Sequence, residues 1–259
     1  MTSKPIESPC VVIITGAAGG IGQACVSNFL NRGYLVMAAD LAGTWTGDQL
    51  ASHGGPLWFH ECDISREADV KALVVRTIES FGRLDTLVNN AAALLPTQPL
   101  DQTQDSERDR LIAVNIVGTM MCCKEAFPHL KQSKGSIVNV SSMAGVHGEK
   151  AHAVYAATKG AINALTQSMA LDYGEYGVRS NAVCPSSVDT KNVARIIAAL
   201  PNRDEVVELR RANNPLRYTA RPEEIASVVG FLASADASYI NGALIPVDGG
   251  ASCGYGIKV

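Results

Sequence analysis

Short runs rich in β-branched and aliphatic residues recur along the chain, separated by amphipathic stretches, and this alternation admits only a small set of folds. "CVVIIT" (10–15), "YLVMAAD" (34–40), "PLWFHEC" (56–62), "LDTLVNN" (84–90), "SIVNVS" (136–141), "VRSNAVC" (178–184) and "ALIPV" (243–247) read as seven strands. Several are nearly continuous apolar runs, which suits strands covered on both faces. The stretches 21–32, 66–82, 105–131, 152–175 and 222–233 read as helices, the last starting at Pro222 with Glu223 and Glu224 in its first turn. Such β-α alternation needs parallel strands joined by right-handed crossovers. The expected class is therefore α/β: a doubly wound parallel sheet of about seven strands with helices on both faces. No linker, repeat or low-complexity block divides residues 1–259, so one domain is expected; the glycine-rich "GGASCGYG" (249–256) lies at the end.

Directly after the first strand, "TGAAGGIG" (15–22) opens a helix. Glycines at Gly16, Gly20 and Gly22, with Ile21 between them, let the backbone approach a pyrophosphate, which then rests on the helix N-terminus. Asp40 ends the second strand, at the distance where an acid meets the adenosine ribose. Its carboxylate can accept from a ribose 2′-hydroxyl and would repel a 2′-phosphate. Ala17, Ala18, Leu41 and Ala42 supply no cation there. The expected fold is a single-domain Rossmann type, and the expected cofactor is NAD, with NADP less favoured.

Composition narrows the partners. A formal net charge of -3, with 47% apolar and 18% charged residues, is ordinary for a globular chain. The pI near 6.0 gives no electrostatic footprint for nucleic acid or an anionic membrane, and neither partner is expected. The start, "MTSKPIESPCVVIITG", has an apolar core too short for an export signal, and no run approaches the ~18 apolar residues of a membrane span. The seven cysteines are scattered, with only Cys122 and Cys123 adjacent and no spacing suited to metal. Reduced thiols, no metal and a cytoplasmic protein are expected.

In "VYAATKGAINAL" (154–165), Tyr155 and Lys159 stand one helical turn apart, and Lys159 is the only formally charged residue from His152 to Leu171. Side chains at i and i+4 share a helix face, with Cβ atoms roughly 5–6 Å apart. A tyrosine that exchanges protons near neutrality needs its pKa lowered by about three units, about 4 kcal/mol, and a neighbouring ammonium is the available source. Ser142 lies at the C-terminal end of the "SIVNVSS" strand, where open α/β sheets bind ligands, so its hydroxyl can meet a substrate oxygen. Alternation sends Ser141 to the opposite face. The bare helix also has apolar residues, Leu165 and Met169 among them, that need cover.

Together with "DI" (63–64), "NNAA" (89–92), Asn115, "NVSS" (139–142), "YAATK" and "YINGALIPVDGG" (239–250), these residues resemble the short-chain dehydrogenase/reductase family over essentially the whole chain. The resemblance implies an NAD-dependent oxidoreductase that interconverts a secondary alcohol and a ketone on a small molecule by hydride transfer. Asn115, Ser142, Tyr155 and Lys159 are then the catalytic set, Tyr155 as acid/base and Asn115 holding a water that links Lys159 to solvent. Gly16, Gly20, Ile21, Gly22, Asp40, Asp63, Ile64, Asn90, Ala91, Tyr155, Lys159, Pro185, Val188 and Thr190 would hold the cofactor. Two positions depart from the family pattern: Ala92 and Ser186 stand where glycine is usual. The resemblance also implies a homotetramer, with the 105–131 and 152–171 helices at a subunit interface. An NADP-preferring ketoreductase such as a 3-oxoacyl reductase, a non-catalytic dinucleotide-binding regulator, and an epimerase or dehydratase on the same scaffold are the alternatives.

Residues 186–218 occupy the family's substrate-loop region. Val193, Ile196, Ile197 and Leu200 repeat at helical spacing. Their apolar face either closes over substrate or packs on the body. Arg195, Arg203, Arg210 and Arg211, interspersed with Asp204, Glu205 and Glu208, read as a solvated mixed-charge face. His147 reads equally as a substrate contact or a plain loop residue, and His152 as part of the helix start. Cys184 and Cys253 read as buried or tail thiols.

Overall fold

The structure is a computed structural model, and it describes residues 8–45, 53–94 and 97–253. Its strands are β1 (Val11–Thr15), β2 (Leu35–Asp40), β3 (Leu57–Glu61), β4 (Thr86–Asn89), β5 (Ser136–Val140), β6 (Arg179–Pro185) and β7 (Leu244–Val247). The helices that position the site are α1 (Gly20–Asn31), α2 (Glu67–Phe81), α3 (Asp105–Leu111), α4 (Thr119–Ser133), α5 (Ala153–Gly174), α6 (Lys191–Ala198), α7 (Arg203–Ala212) and α8 (Pro222–Ala233). The strands form one sheet in the order β3-β2-β1-β4-β5-β6-β7, every pairing parallel. Each expected strand is present, trimmed by a residue or two where the chain turns away.

All five residues of β1 are buried, as a doubly covered strand requires. Val12 and Ile14 face one core with Phe29, Val36, Ile225 and Val229, while Val11 and Ile13 face the other with Leu73, Leu87, Leu130 and Ile137. The edge strand β3 is only partly covered, leaving Trp58 exposed. The strand order reverses at β1, between β2 and β4, and an open α/β sheet binds ligands beyond the strand ends at this switch. Thr15, Asp40, Asn89, Val140 and Pro185 end their strands on that rim.

The 105–131 stretch is not one uniform helix. Between α3 and α4 the chain adopts a π-helical segment, Ile112–Gly118, which widens the helix around Asn115. The whole Asp105–Ser133 rod is long and apolar enough to cross a membrane, against the expectation that no stretch is. Its Cys122, Cys123, Ala126 and Leu130 are buried in the core beside Ile137 and Leu73, while Ile112 is exposed. Met169 is likewise buried in the protein's own core and Leu165 packs half-buried against it; Leu171, Val117 and Met120 stay exposed.

Candidate active site

The glycine turn is shaped by contacts from two neighbouring loops. Gly16 has φ 62°, and a Cβ there would stand 2.6 Å from Ala91 Cα, so only glycine lets the ends of β1 and β4 meet. Asn90 closes that junction: its Nδ2 donates to the carbonyls of Thr15 (3.0 Å) and Gly16 (2.8 Å). Thr15 Oγ1 accepts in turn from the Asn90 and Ala91 amides. A Cβ on Gly20 would stand 2.7 Å from the Thr190 side chain, which brings the segment after β6 over the start of α1. Gly22 is packed on the Gly16–Ala17 backbone, with Ile21 half-buried beside it.

Asp40 lies at the rim of this cradle. Its Oδ2 accepts from the Ala18 amide and its Oδ1 from its neighbour Leu41, both at 2.8 Å, so the carboxylate is fixed and half-exposed with lone pairs to spare. No acidic side chain occupies the first turn of α1, leaving its amides open to an anion. Asp63 accepts from the Ser65 amide and hydroxyl, and Ile64 is buried against Gly118. These residues fit a dinucleotide: a close-approach turn, a helix N-terminus, and a carboxylate placed for a ribose.

The two departures from glycine are accommodated. Neither Ala92 nor Ser186 takes a positive φ, and Ala92 is exposed, so its methyl meets no obstacle. The Ser186 hydroxyl is placed to donate to Asn214 Oδ1 (2.9 Å) or the Asp248 carbonyl (3.2 Å), tying the post-β6 loop to the C-terminal segment. Pro185 ends β6, Val188 is buried, and Thr190 caps α6 by accepting from the Val193 amide.

The 152–174 helix delivers Tyr155 and Lys159 to the rim as their spacing requires. Lys159 is buried, its Nζ donating to the Val140 carbonyl at 2.8 Å, and Ser141 Oγ donates to the Lys159 carbonyl at 3.2 Å. Ser142 sits just past β5, half-buried, its Oγ accepting from the Ala144 amide and facing the Tyr155 phenol. The expected electrostatics are corrected here. Burial pushes the Tyr155 phenol up to about 12, the Ser142 hydrogen bond opposes this, and the Glu149 carboxylate adds to it. Burial pulls Lys159 down to about 8. The Lys159 nitrogen lies 5.7 Å from the Tyr155 ring centroid, and burial sets the direction of the phenol's shift in the chain alone.

Asn115, in the π-helical segment, joins the loop after β4 to α5. Its Oδ1 accepts from the Ala93 amide (2.7 Å), while its Nδ2 donates to the Ala93 carbonyl and to Thr158 Oγ1, each at 3.1 Å. Thr158 Oγ1 in turn donates to the Tyr155 carbonyl at 2.8 Å. The amide nitrogen is fully committed, and Oδ1 keeps one lone pair for anything further.

Of the other candidates, His147 is exposed. His152 lies 6.2 Å ring to ring from Tyr155, edge to face, beside Thr97 and Glu149. Sequence reading assigned it to the helix start; its i, i+3 spacing to Tyr155 was the available signal. Arg210 is not part of a solvated face: it is half-buried and donates to the Val188 carbonyl near Asp189. Cys184 is buried and Cys253 exposed in the tail. Among the described residues no cluster of His, Cys, Asp or Glu could hold a metal ion.

A family profile described as Enoyl-(Acyl carrier protein) reductase matches residues 16–252. The chain is 39% identical over 246 residues to the L-fucose dehydrogenase of Oryctolagus cuniculus, covering 95% of this chain and 86% of that one. It is 41% identical over 249 residues to the meso-2,3-butanediol dehydrogenase of Serratia marcescens, covering 95% and 96%. The crystal structure of levodione reductase superposes with a TM-score of 0.89 at 30% identity, covering 96% of this chain and 99% of that one. The chain belongs to the short-chain dehydrogenase/reductase family and is an oxidoreductase that interconverts CH–OH and carbonyl groups with a nicotinamide dinucleotide.

Proposed function

We propose that this chain is an NAD-dependent dehydrogenase of secondary alcohols on small molecules, working through Asn115, Ser142, Tyr155 and Lys159. The observation that carries the cofactor choice is Asp40. Its fixed carboxylate borders the glycine turn, and Ala17, Ala18, Leu41 and Ala42 around it offer no cation for a 2′-phosphate. A carboxylate in that place favours ribose hydroxyls and repels an added dianion.

In this reading Gly16, Gly20, Ile21 and Gly22 hold the pyrophosphate, and Asp63, Ile64, Asn90 and Ala91 line the adenine side and the floor. Pro185, Val188 and Thr190 border the nicotinamide. The bound nicotinamide supplies or accepts the hydride and, when oxidised, brings a positive charge. Ser142 and Tyr155 orient the substrate oxygen between their hydroxyls. Tyr155 takes the alcohol's proton at its phenolic oxygen, or returns it to the developing alkoxide. Burial holds the phenol at about 12 in the chain alone, and an oxidised nicotinamide, when bound, would add a positive charge that favours the phenolate. Asn115 positions the segment that carries both.

Residues 186–218 form the substrate loop. The Ile196 side of α6 is exposed and none of its residues is buried, which favours a closing lid over packing on the body. Two relatives are named for substrates that carry hydroxyls on neighbouring carbons, L-fucose and meso-2,3-butanediol, and we extend that class to this chain. We further propose one domain, a homotetramer, a cytoplasmic location, and no nucleic-acid or membrane partner. The exposed Val117 and Met120, beside a 340 Å³ groove that also meets Leu165 and Tyr173, support a subunit contact.

An alcohol and ketone panel followed by NADH absorbance, with NADPH in parallel, tests this reading. NADH preference that weakens at least tenfold in Asp40→Ala is expected. Tighter binding of NADPH, unaffected by Asp40→Ala, would overturn the cofactor assignment.

A further inference from the structure

His152 combines a buried, unpaired Nδ1 with a ring that is 23% exposed and lies close to Tyr155. Its Nδ1 is buried and has no hydrogen-bond partner; the nearest carboxylate oxygen, on Glu149, stands 3.5 Å away without closing a bond. Its Nε2 has only a long contact, 3.4 Å, with Thr97 Oγ1. A buried ring nitrogen is normally hydrogen-bonded, because an unpaired one keeps its full desolvation penalty. The ring is nevertheless held in place. Ala151 takes φ 60°, a conformation that alanine adopts only at a cost, and the Gln98 amide donates to the Ala151 carbonyl at 2.8 Å. That turn fixes the backbone of His152 at the mouth of α5. His152 is the residue just before α5, with φ -130° and ψ 28°, and from there its ring stands 6.2 Å from that of Tyr155, edge to face.

We infer that His152 binds a second oxygen of the substrate, on the carbon next to the reacting carbinol, and so selects vicinal diols and α-hydroxyketones over simple alcohols. The inference rests on the proposed dehydrogenase activity. Oxygens on adjacent carbons lie about one hydrogen-bond length apart. A substrate whose first oxygen sits between Ser142 and Tyr155 therefore presents its second toward the ring that flanks Tyr155. A neutral imidazole has one donor and one acceptor nitrogen, and a hydroxyl can meet either. A carbonyl or ether oxygen can meet only the donor. Glu149, on the Nδ1 side, orients the ring, and Thr97 yields its long contact to the incoming oxygen. A simple alcohol leaves the imidazole as it is and gains nothing from it. His152 is a positioning residue for substrate and takes no proton from the carbinol.

The test compares matched pairs that differ by one oxygen: meso-2,3-butanediol with 2-butanol for oxidation, and acetoin with 2-butanone for reduction. kcat/KM is measured for wild type, His152→Phe and His152→Gln with the nicotinamide cofactor. Wild type is expected to favour the oxygen-bearing partner at least tenfold. His152→Phe should lower that ratio tenfold or more, chiefly by raising KM for the diol, and His152→Gln should restore part of it. A wild-type ratio near one while both alcohols are oxidised would overturn the inference and leave the dehydrogenase reading intact. A ratio unchanged in His152→Phe, or an equal fall in kcat for both partners, would also overturn it. Wild type turning over neither pair would overturn the activity and this inference together. Should the Phe variant not fold, the wild-type ratio and the Gln variant decide.

Discussion

Lys159 and Val140 are joined by a 2.8 Å hydrogen bond from the buried amine to the backbone carbonyl that ends β5. Ser141, the next residue, reaches back to the Lys159 carbonyl. The strand end and the helix are thus fastened at the level where Tyr155 meets Ser142. Burial lowers Lys159 to about 8, below the usual lysine range near 10.4. Between those pH values the unfolded chain holds a proton that the folded chain has released, so this residue makes stability rise with pH; its unfavourable contribution is complete below pH 8. Urea unfolding of wild type and Lys159→Met at pH 7.5 and 10 should therefore show the wild type gaining on the variant by about 2 kcal/mol at the higher pH. A constant difference would show an unshifted lysine.

Asn115→Ala should destabilise the protein by about 2–3 kcal/mol, because it removes both partners of Ala93 and one of Thr158 in a buried place. Activity should fall with it, since the loop after β4 and the Tyr155 helix lose their shared clamp. An urea midpoint within error of wild type would show that the π-helical segment holds those elements without the amide.

Gly16→Ala adds a methyl 2.6 Å from the Ala91 backbone, at φ 62°. The strand ends must separate or the turn must change. A stability loss above about 1 kcal/mol is expected, with dinucleotide affinity lowered at least tenfold by calorimetric titration. Unchanged affinity would remove Gly16 from the cradle.

Ile196 is exposed on α6, a helix with no buried residue. Ile196→Asp should change stability by less than about 0.5 kcal/mol, as surface substitutions do, while raising the substrate KM several-fold. A large stability loss with KM unchanged would mean that the helix packs on the body instead of closing over substrate.

The seven strands and their parallel, doubly wound arrangement were legible because strand runs and helix periods are local patterns, and parallel crossovers have one hand. The approach of Tyr155 and Lys159 was legible for the same reason, being one helical turn. What the sequence concealed depends on tertiary surroundings. The π-helical segment around Asn115 has no period of its own to read. The direction of the Tyr155 and Lys159 shifts follows from burial, which spacing cannot report. Met169 looked uncovered in a bare helix, yet its side chain meets the core beneath the sheet. Arg210 looked like one of several solvated arginines until α7 folded back onto the Val188 carbonyl. Ser186 and Ala92 looked like risks at glycine positions, and both lie in ordinary backbone conformations.

Replacement of Tyr155 by phenylalanine tests the account most directly, because it keeps the ring against His152 and removes only the group that moves the proton. With NAD and the best alcohol of the panel, kcat/KM for Tyr155→Phe is expected to fall by about 10²–10⁴, the range of a positioned acid/base group. Hydride transfer within tenfold of wild type would contradict Tyr155 as that group.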